Sequence, residues 1–211
     1  MSLKNYYEEY GKTMPKEKKC PLSSEKRIEK ILPFFEEPIL DIGCSKGYDA
    51  RYFYNKGFKK ILGCDISEEA LKMAKQRNLD VIILDAAKGG LSAFEDNKFD
   101  FVVMSELIEH IVRSEDILKE AARIAKKGVL VSTPNVAYIR SRAALLFGRF
   151  PKQWAVAPWE HLRYWSAIDF VEIIKSIGLN LKELKAANGK KILRDLWPNF
   201  FALQICYFIT K

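Results

Sequence analysis

Residues 38–49 read PILDIGCSKGYD. An apolar run ends in an acid, Asp41, and two glycines, Gly43 and Gly47, then frame a turn. A strand that runs into a glycine turn and then a helix is the repeating unit of a parallel sheet covered by helices. The chain repeats that pattern. KKILGCDI (59–66), LDVIILDA (79–86), KFDFVVMS (98–105) and VLVSTP (129–134) have strand length. Between and around them the apolar spacing predicts helices over SSEKRIEKILPFF (23–35), YDARYFYNKG (48–57), SEEALKMAKQRN (67–78) and SEDILKEAARIAKKG (114–128). Ser67 is the expected cap of the third of these, with two acids in its first turn to suit the helix dipole.

The second half is less regular. VAYIRSRAALLFG (136–148) reads as a helix, and SAIDFVEIIKSIG (166–178) as another, capped at Ser166 and closed by Gly178. LNLKELKAA (179–187) and NFFALQICYFITK (199–211) read as the last two strands, joined by a basic loop. Residues 148–165, GRFPKQWAVAPWEHLRYW, are aromatic and proline-rich and lack periodicity. Linkers rarely carry such bulk, so an ordered loop or lid is expected there. The expectation is one domain over residues 1–211.

Composition narrows the class. The 211 residues carry a formal charge of +8, spread thinly except for Arg140, Arg142, Arg149 and Lys152. A basic balance attracts anionic partners, but no long basic stripe or separate module points to nucleic acid. No window holds about 18 uninterrupted apolar residues, so no membrane partnership is expected. The N-terminus lacks the apolar core of a secretion signal, and the four cysteines form no CxxC pair. Reduced thiols in a cytoplasmic protein are the plain reading.

The glycine turn then selects a ligand. A phosphate loop would need G-x-x-x-x-G-K-[ST], and a dinucleotide loop G-x-G-x-x-G. Here the pattern is D-x-G-x-x-x-G, with Cys44, Ser45 and Lys46 between the glycines. Asp41 at the strand mouth repels a pyrophosphate and attracts a cation such as an ammonium group. Asp65, about 20 residues past the turn, is placed to accept hydrogen bonds from ribose hydroxyls. Asp85 ends the third strand. Three acids at successive strand ends line the edge where open α/β sheets bind ligands.

DIGCSKG, GCDIS, LDAA and FDFVVMSELIEHI resemble, in order and spacing, the successive motifs of class I S-adenosylmethionine-dependent methyltransferases, over roughly residues 23–135. The resemblance implies a Rossmann-like seven-stranded sheet of order 3-2-1-4-5-7-6 with helices on both faces and the last strand antiparallel. It implies S-adenosylmethionine as cofactor. Asp41, Gly43, Cys44, Ser45 and Gly47 would face its methionine part. Asp65 would take the ribose, Ile66 or Ser67 would pack on the adenine, Asp85 and Ala86 would border it, and Ser105 would sit near the sulfonium and the acceptor. Ser45 departs from the third glycine of many members.

SELIEHI (105–111) holds one of only two histidines. On a helical turn Glu106, Glu109 and His110 would share a face. Two carboxylates and an imidazole serve a divalent metal or acid–base work, with His110 the candidate base and Glu109 a lesser one. His161 follows about fifty residues later. E-x-x-E-H with a distant histidine resembles the metal-using small-RNA 2′-O-methyltransferases and the quinone-biosynthesis O-methyltransferases, which implies a possible divalent metal on Glu106, Glu109, His110 and His161. Many members without metal carry the same E-H. Residues 129–211 resemble the MetW family of methionine biosynthesis, which implies a protein partner, although those proteins generally lack E-x-x-E-H. The function expected is methyl transfer to a small-molecule acceptor at oxygen or nitrogen. A MetW-like partner protein and an RNA methyltransferase are the alternatives. Arg140, Trp154, Trp159, His161 and Tyr164 are the expected walls of the acceptor pocket.

Overall fold

A computed structural model describes residues 8, 29, 30, 33, 36–151, 160–189 and 192–211. Seven strands form one sheet: β1 (Ile39–Ile42), β2 (Ile61–Asp65), β3 (Asp80–Ile83), β4 (Phe99–Ser105), β5 (Ala125–Pro134), β6 (Asn180–Gly189) and β7 (Ala202–Thr210). Their order is β3-β2-β1-β4-β5-β7-β6. The first five are parallel, and β7 runs antiparallel between β5 and β6. The order implied by the family resemblance is the order found.

The central strand explains why the sheet needs cover on both faces. All four residues of β1 are buried. Side chains alternate along a strand, so Leu40 and Ile42 enter one core with Val102 and Met104, while Ile39 enters the other with Phe101 and Val103. Against these faces lie α1 (Tyr48–Asn55), α2 (Glu68–Lys75), α3 (Ser114–Ile124) and, after the largely exposed α4 (Ile139–Leu146), α5 (Ala167–Ser176), followed by two single turns, α6 (Leu193–Leu196) and α7 (Pro198–Phe201). Ser67 caps α2 by accepting from the Ala70 N–H, and Ser166 and Asp169 form a capping box on α5. In the larger core Phe170 of α5 lies between Trp165 and Tyr207, ring centroids 5.1 and 4.6 Å away.

Two boundaries differ from expectation. The helix predicted to Gly128 stops at Ile124, and Ala125 already pairs with Phe99 as strand. The Arg123 guanidinium donates to the Leu91 and Phe94 carbonyls and pairs with Asp96, which pins the helix end, and Lys127 pairs with Asp100. The residues Asn199, Phe200 and Phe201, expected in the last strand, form α7, where Pro198 takes the first helical position. The helix expected over 23–35 lies largely outside the described residues.

Candidate active site

The strand order reverses between β1 and β4, and the carboxyl ends of these strands open the crevice where such sheets take ligands. The loop after β1 is built for close approach. Gly43, Ser45 and Gly47 all have left-handed backbone, at φ 73°, 47° and 74°. A Cβ on Gly43 would stand 2.7 Å from Leu107 Cδ1, and one on Gly47 2.3 Å from Leu79 Cδ1. The Gly43 and Cys44 N–H groups donate to the Cys64 carbonyl at 2.8 and 3.0 Å, which clips the loop to β2. Cys44 offers backbone only, because its buried thiol packs beside Gly63 and burial raises its pKa far above the usual range.

Asp65 ties the glycine turn to the start of α2. Its carboxylate accepts from the Ser45 N–H at 2.8 Å and the Ser67 N–H at 2.9 Å. Burial pushes its pKa up, and those N–H groups oppose the shift. Ile66, half-buried, follows it, and Ser67 is spent on the α2 cap. Sequence reasoning missed a neighbour. The Glu8 carboxylate accepts from the Glu68 and Glu69 N–H groups at 2.8 and 3.2 Å, at the mouth of α2. No local signal links residues 60 apart.

Asp41 is buried at the end of β1. Asp85 caps the short turn Ala86–Lys88 by accepting from the Lys88 N–H at 3.2 Å, and its second oxygen pairs with the Lys88 ammonium at 3.4 Å. Ser105, at the end of β4, holds a buried Oγ with no hydrogen-bond partner among the described residues. A ligand oxygen or nitrogen at the switch point would satisfy it. The orphan hydroxyl, the left-handed glycine turn and the acid at the end of β2 are compatible with an adenosine-type sulfonium cofactor.

The next stretch departs from the helical face expected for Glu106, Glu109 and His110. Only Ile108–His110 forms a tight helical turn, and Glu106 stands before it with φ 50°. That backbone turns Glu106 toward the sheet. Its carboxylate accepts from Ser132 Oγ at 2.9 Å and Gln204 Nε2 at 2.7 Å, so it joins β4 to β5 and β7. The structure instead gathers Glu109, His110 and His161, with one potential ligand atom of each within 4.8 Å of the others. Glu109 is buried. His110 Nδ1 donates to the Glu160 carbonyl at 2.5 Å, and its ring meets that of His161 edge-on at 4.8 Å. Tyr164 lies 6.1 Å beyond His161. Arg140 is exposed on α4, away from any described partner, while Trp154 and Trp159 and the rest of residues 152–159 of the expected lid lie outside the described residues.

Both imidazoles are held toward the neutral form. Burial lowers the His110 pKa, against the pull of Glu160 and Glu106, and burial followed by the nearby His110 takes His161 down to about 4. Between that value and the ordinary 6.5, the unfolded chain binds protons that the folded chain refuses. In metal-free buffer, stability is therefore expected to be full above pH 6.5 and to fall on acidification toward pH 4. Denaturant melts at several pH values check this. His161→Gln should flatten the slope, and an unchanged slope would remove His161 as its source.

Comparison with known proteins gives the same frame. Residues 40–132 match the family model described as "Methyltransferase domain". An uncharacterized protein of Methanocaldococcus jannaschii is 28% identical over 182 residues, covering 86% of this chain and 81% of that protein. The bifunctional methionine biosynthesis protein MetXA/MetW of Rhodopirellula baltica is 28% identical over 61% of this chain but only 22% of its own length. The ubiquinone biosynthesis O-methyltransferase of Leptothrix cholodnii is 23% identical over 75% of this chain and 71% of its own length. Among solved structures, a SAM-dependent methyltransferase from Archaeoglobus fulgidus superposes with a TM-score of 0.70 at 17% identity, covering all of both chains.

Proposed function

We propose that the chain is a class I S-adenosylmethionine-dependent methyltransferase, a reading supported by the methyltransferase-domain match over residues 40–132, and that it methylates a hydroxyl oxygen of a small molecule. The observation that carries this reading is the Glu109, His110 and His161 cluster beyond β4. The cofactor supplies a methyl group already activated on sulfonium. Asp65 holds the ribose, the loop around Gly43 and Gly47 meets the methionine end, and Asp41 attracts its ammonium. Asp85 and Ala86 border the adenine. The remaining task is to aim an acceptor oxygen and remove its proton.

His110 is suited to that task. With Nδ1 donating to the Glu160 carbonyl, the lone pair resides on Nε2. A depressed pKa keeps it free of a proton at neutral pH. With the cofactor bound and its methyl group passing to the acceptor oxygen, Nε2 of His110 would take up the hydroxyl proton. Transfer of labelled methyl from S-adenosylmethionine to a panel of phenols and amines tests this. Phenols are expected to be labelled, and His110→Ala to slow the transfer by about 10²-fold or more. Labelling of amines alone would overturn the oxygen assignment.

A metal-assisted variant has its own support, because a carboxylate and two imidazoles with close ligand atoms suit a divalent transition ion. The second nitrogen of His110 is already fixed by a carbonyl, as metal-bound histidines usually are. Glu106 would stay with Ser132 and Gln204. The MetW likeness supports a partner protein without turnover as the competing reading, and transfer to any acceptor decides against it. An RNA acceptor would instead show strongly salt-dependent RNA binding.

A further inference from the structure

We propose that the face formed by the C-terminal end of α4 and the residues after it docks on an anionic lipid bilayer, and that the acceptor is drawn from that surface. Leu146 is 82% exposed, Phe147 79% and Phe150 60%. Three such side chains within five residues are an apolar patch, and soluble surfaces seldom leave one uncovered. Basic residues frame it. Arg140, Arg142 and Arg149 are all exposed, and no acid occurs anywhere in residues 121–159. Exposed apolar side chains flanked by arginines at a helix end match the interface of an acidic bilayer in both hydrophobicity and charge.

The patch continues and leads somewhere. The Arg142 guanidinium lies 5.2 Å over the Phe200 ring, and Phe200 stacks on the exposed Trp197 at 4.9 Å. Tryptophan suits the boundary between headgroups and chains. In the other direction Phe150 meets Tyr164 edge-on at 5.3 Å, and Tyr164 lies beside His161, which meets His110. A line of rings thus joins the exposed face to the candidate base. An acceptor with an apolar tail could stay in the bilayer while its head reaches His110. The sequence excluded a spanning helix, and no helix among the described residues is long and apolar enough to cross a membrane. Neither fact bears on surface contact, which needs only a patch. Docking stands by itself, whereas the bilayer as acceptor source rests on the transferase reading.

Co-sedimentation of the full chain with phosphatidylglycerol–phosphatidylcholine vesicles, and with phosphatidylcholine vesicles alone, tests the docking. Retention is expected on the acidic vesicles and is expected to weaken with added salt. The double variant Leu146→Ser, Phe147→Ser changes exposed side chains only and should bind at least about tenfold more weakly. Arg140→Gln with Arg149→Gln should also weaken binding, and Lys75→Gln on α2 should not. No retention on acidic vesicles, or equal retention of the double variant, would overturn the proposal. So would a dimer in sedimentation equilibrium that the double variant splits, since a second copy would then cover the face. S-adenosylhomocysteine calorimetry on the same samples separates the two failures. Cofactor binding without vesicle binding sinks the docking alone. Vesicle binding without cofactor binding sinks the transferase reading alone.

Discussion

An Asp65→Ala variant is expected to bind S-adenosylhomocysteine at least about 100-fold more weakly than the native chain. Two ribose hydroxyls donating to one carboxylate contribute about 1.5–3 kcal/mol each, because the acceptor is charged. The effect has a second source. Asp65 holds the Ser45 and Ser67 N–H groups, and Ser45 has positive φ inside the glycine loop. Removing the carboxylate releases the loop proposed to meet the methionine end, so both ends of the ligand would lose support. Asp65→Asn separates the two. It keeps one carbonyl acceptor and the side-chain volume, and is expected to fall between native and alanine. Titration calorimetry measures all three, with circular dichroism to check folding. Native-like affinity in the alanine variant would remove Asp65 from the cofactor site, and with it the main support for the ligand assignment.

The largest expected effect on stability lies at Phe170. Its ring is fully buried between Trp165 and Tyr207 and ties α5 to the inserted strand β7. Phe170→Ala removes those contacts and leaves a cavity that rigid neighbours cannot fill, at a cost of about 3–5 kcal/mol. For a chain of this size each kcal/mol lowers the melting temperature by roughly 2–4 °C, so a drop of about 10 °C is expected. Differential scanning calorimetry reads it directly. A shift of about 2 °C or less would mean that the site collapses around the truncated side chain. Trp165 also bridges to Asn135, so loosening at Phe170 should reach the chain that leads to His161.

The glycine turn and the strand-end acids were legible in the sequence because their logic is local. Asp41, Gly43 and Gly47 act through backbone conformation and strand position, and both follow from residue type and spacing. Asp65 and Asp85 sit at strand ends that the hydrophobic pattern marks. The strand order was legible only through the family resemblance, since periodicity alone does not say that β7 enters between β5 and β6. Glu106 shows where local reasoning stops. Helical spacing would put it beside His110, but a left-handed residue turns it to Gln204, 98 positions away. Glu8 was invisible for the same reason, as its partners lie about 60 residues further on. The exposed patch on α4 was hidden differently. Its helical reading was correct, but only the packed structure reveals that no described element covers Leu146 and Phe147.

The place of β7 between β5 and β6 also governs when the fold can finish during synthesis. Residues 202–210 supply the hydrogen bonds for the outer edge of β5 and for the whole inner edge of β6. Until they emerge from the ribosome, β6 has no sheet to join, and β5 ends the nascent sheet with an open edge. The parallel half, holding every acid of the glycine crevice, can assemble first around β1. The histidine end cannot settle before the last strand arrives, because Gln204 on that strand anchors Glu106 just ahead of His110. Ribosome-stalled chains ending before residue 202 should therefore expose β5 to aggregation or chaperones, and chains extended far enough to release residue 210 should not.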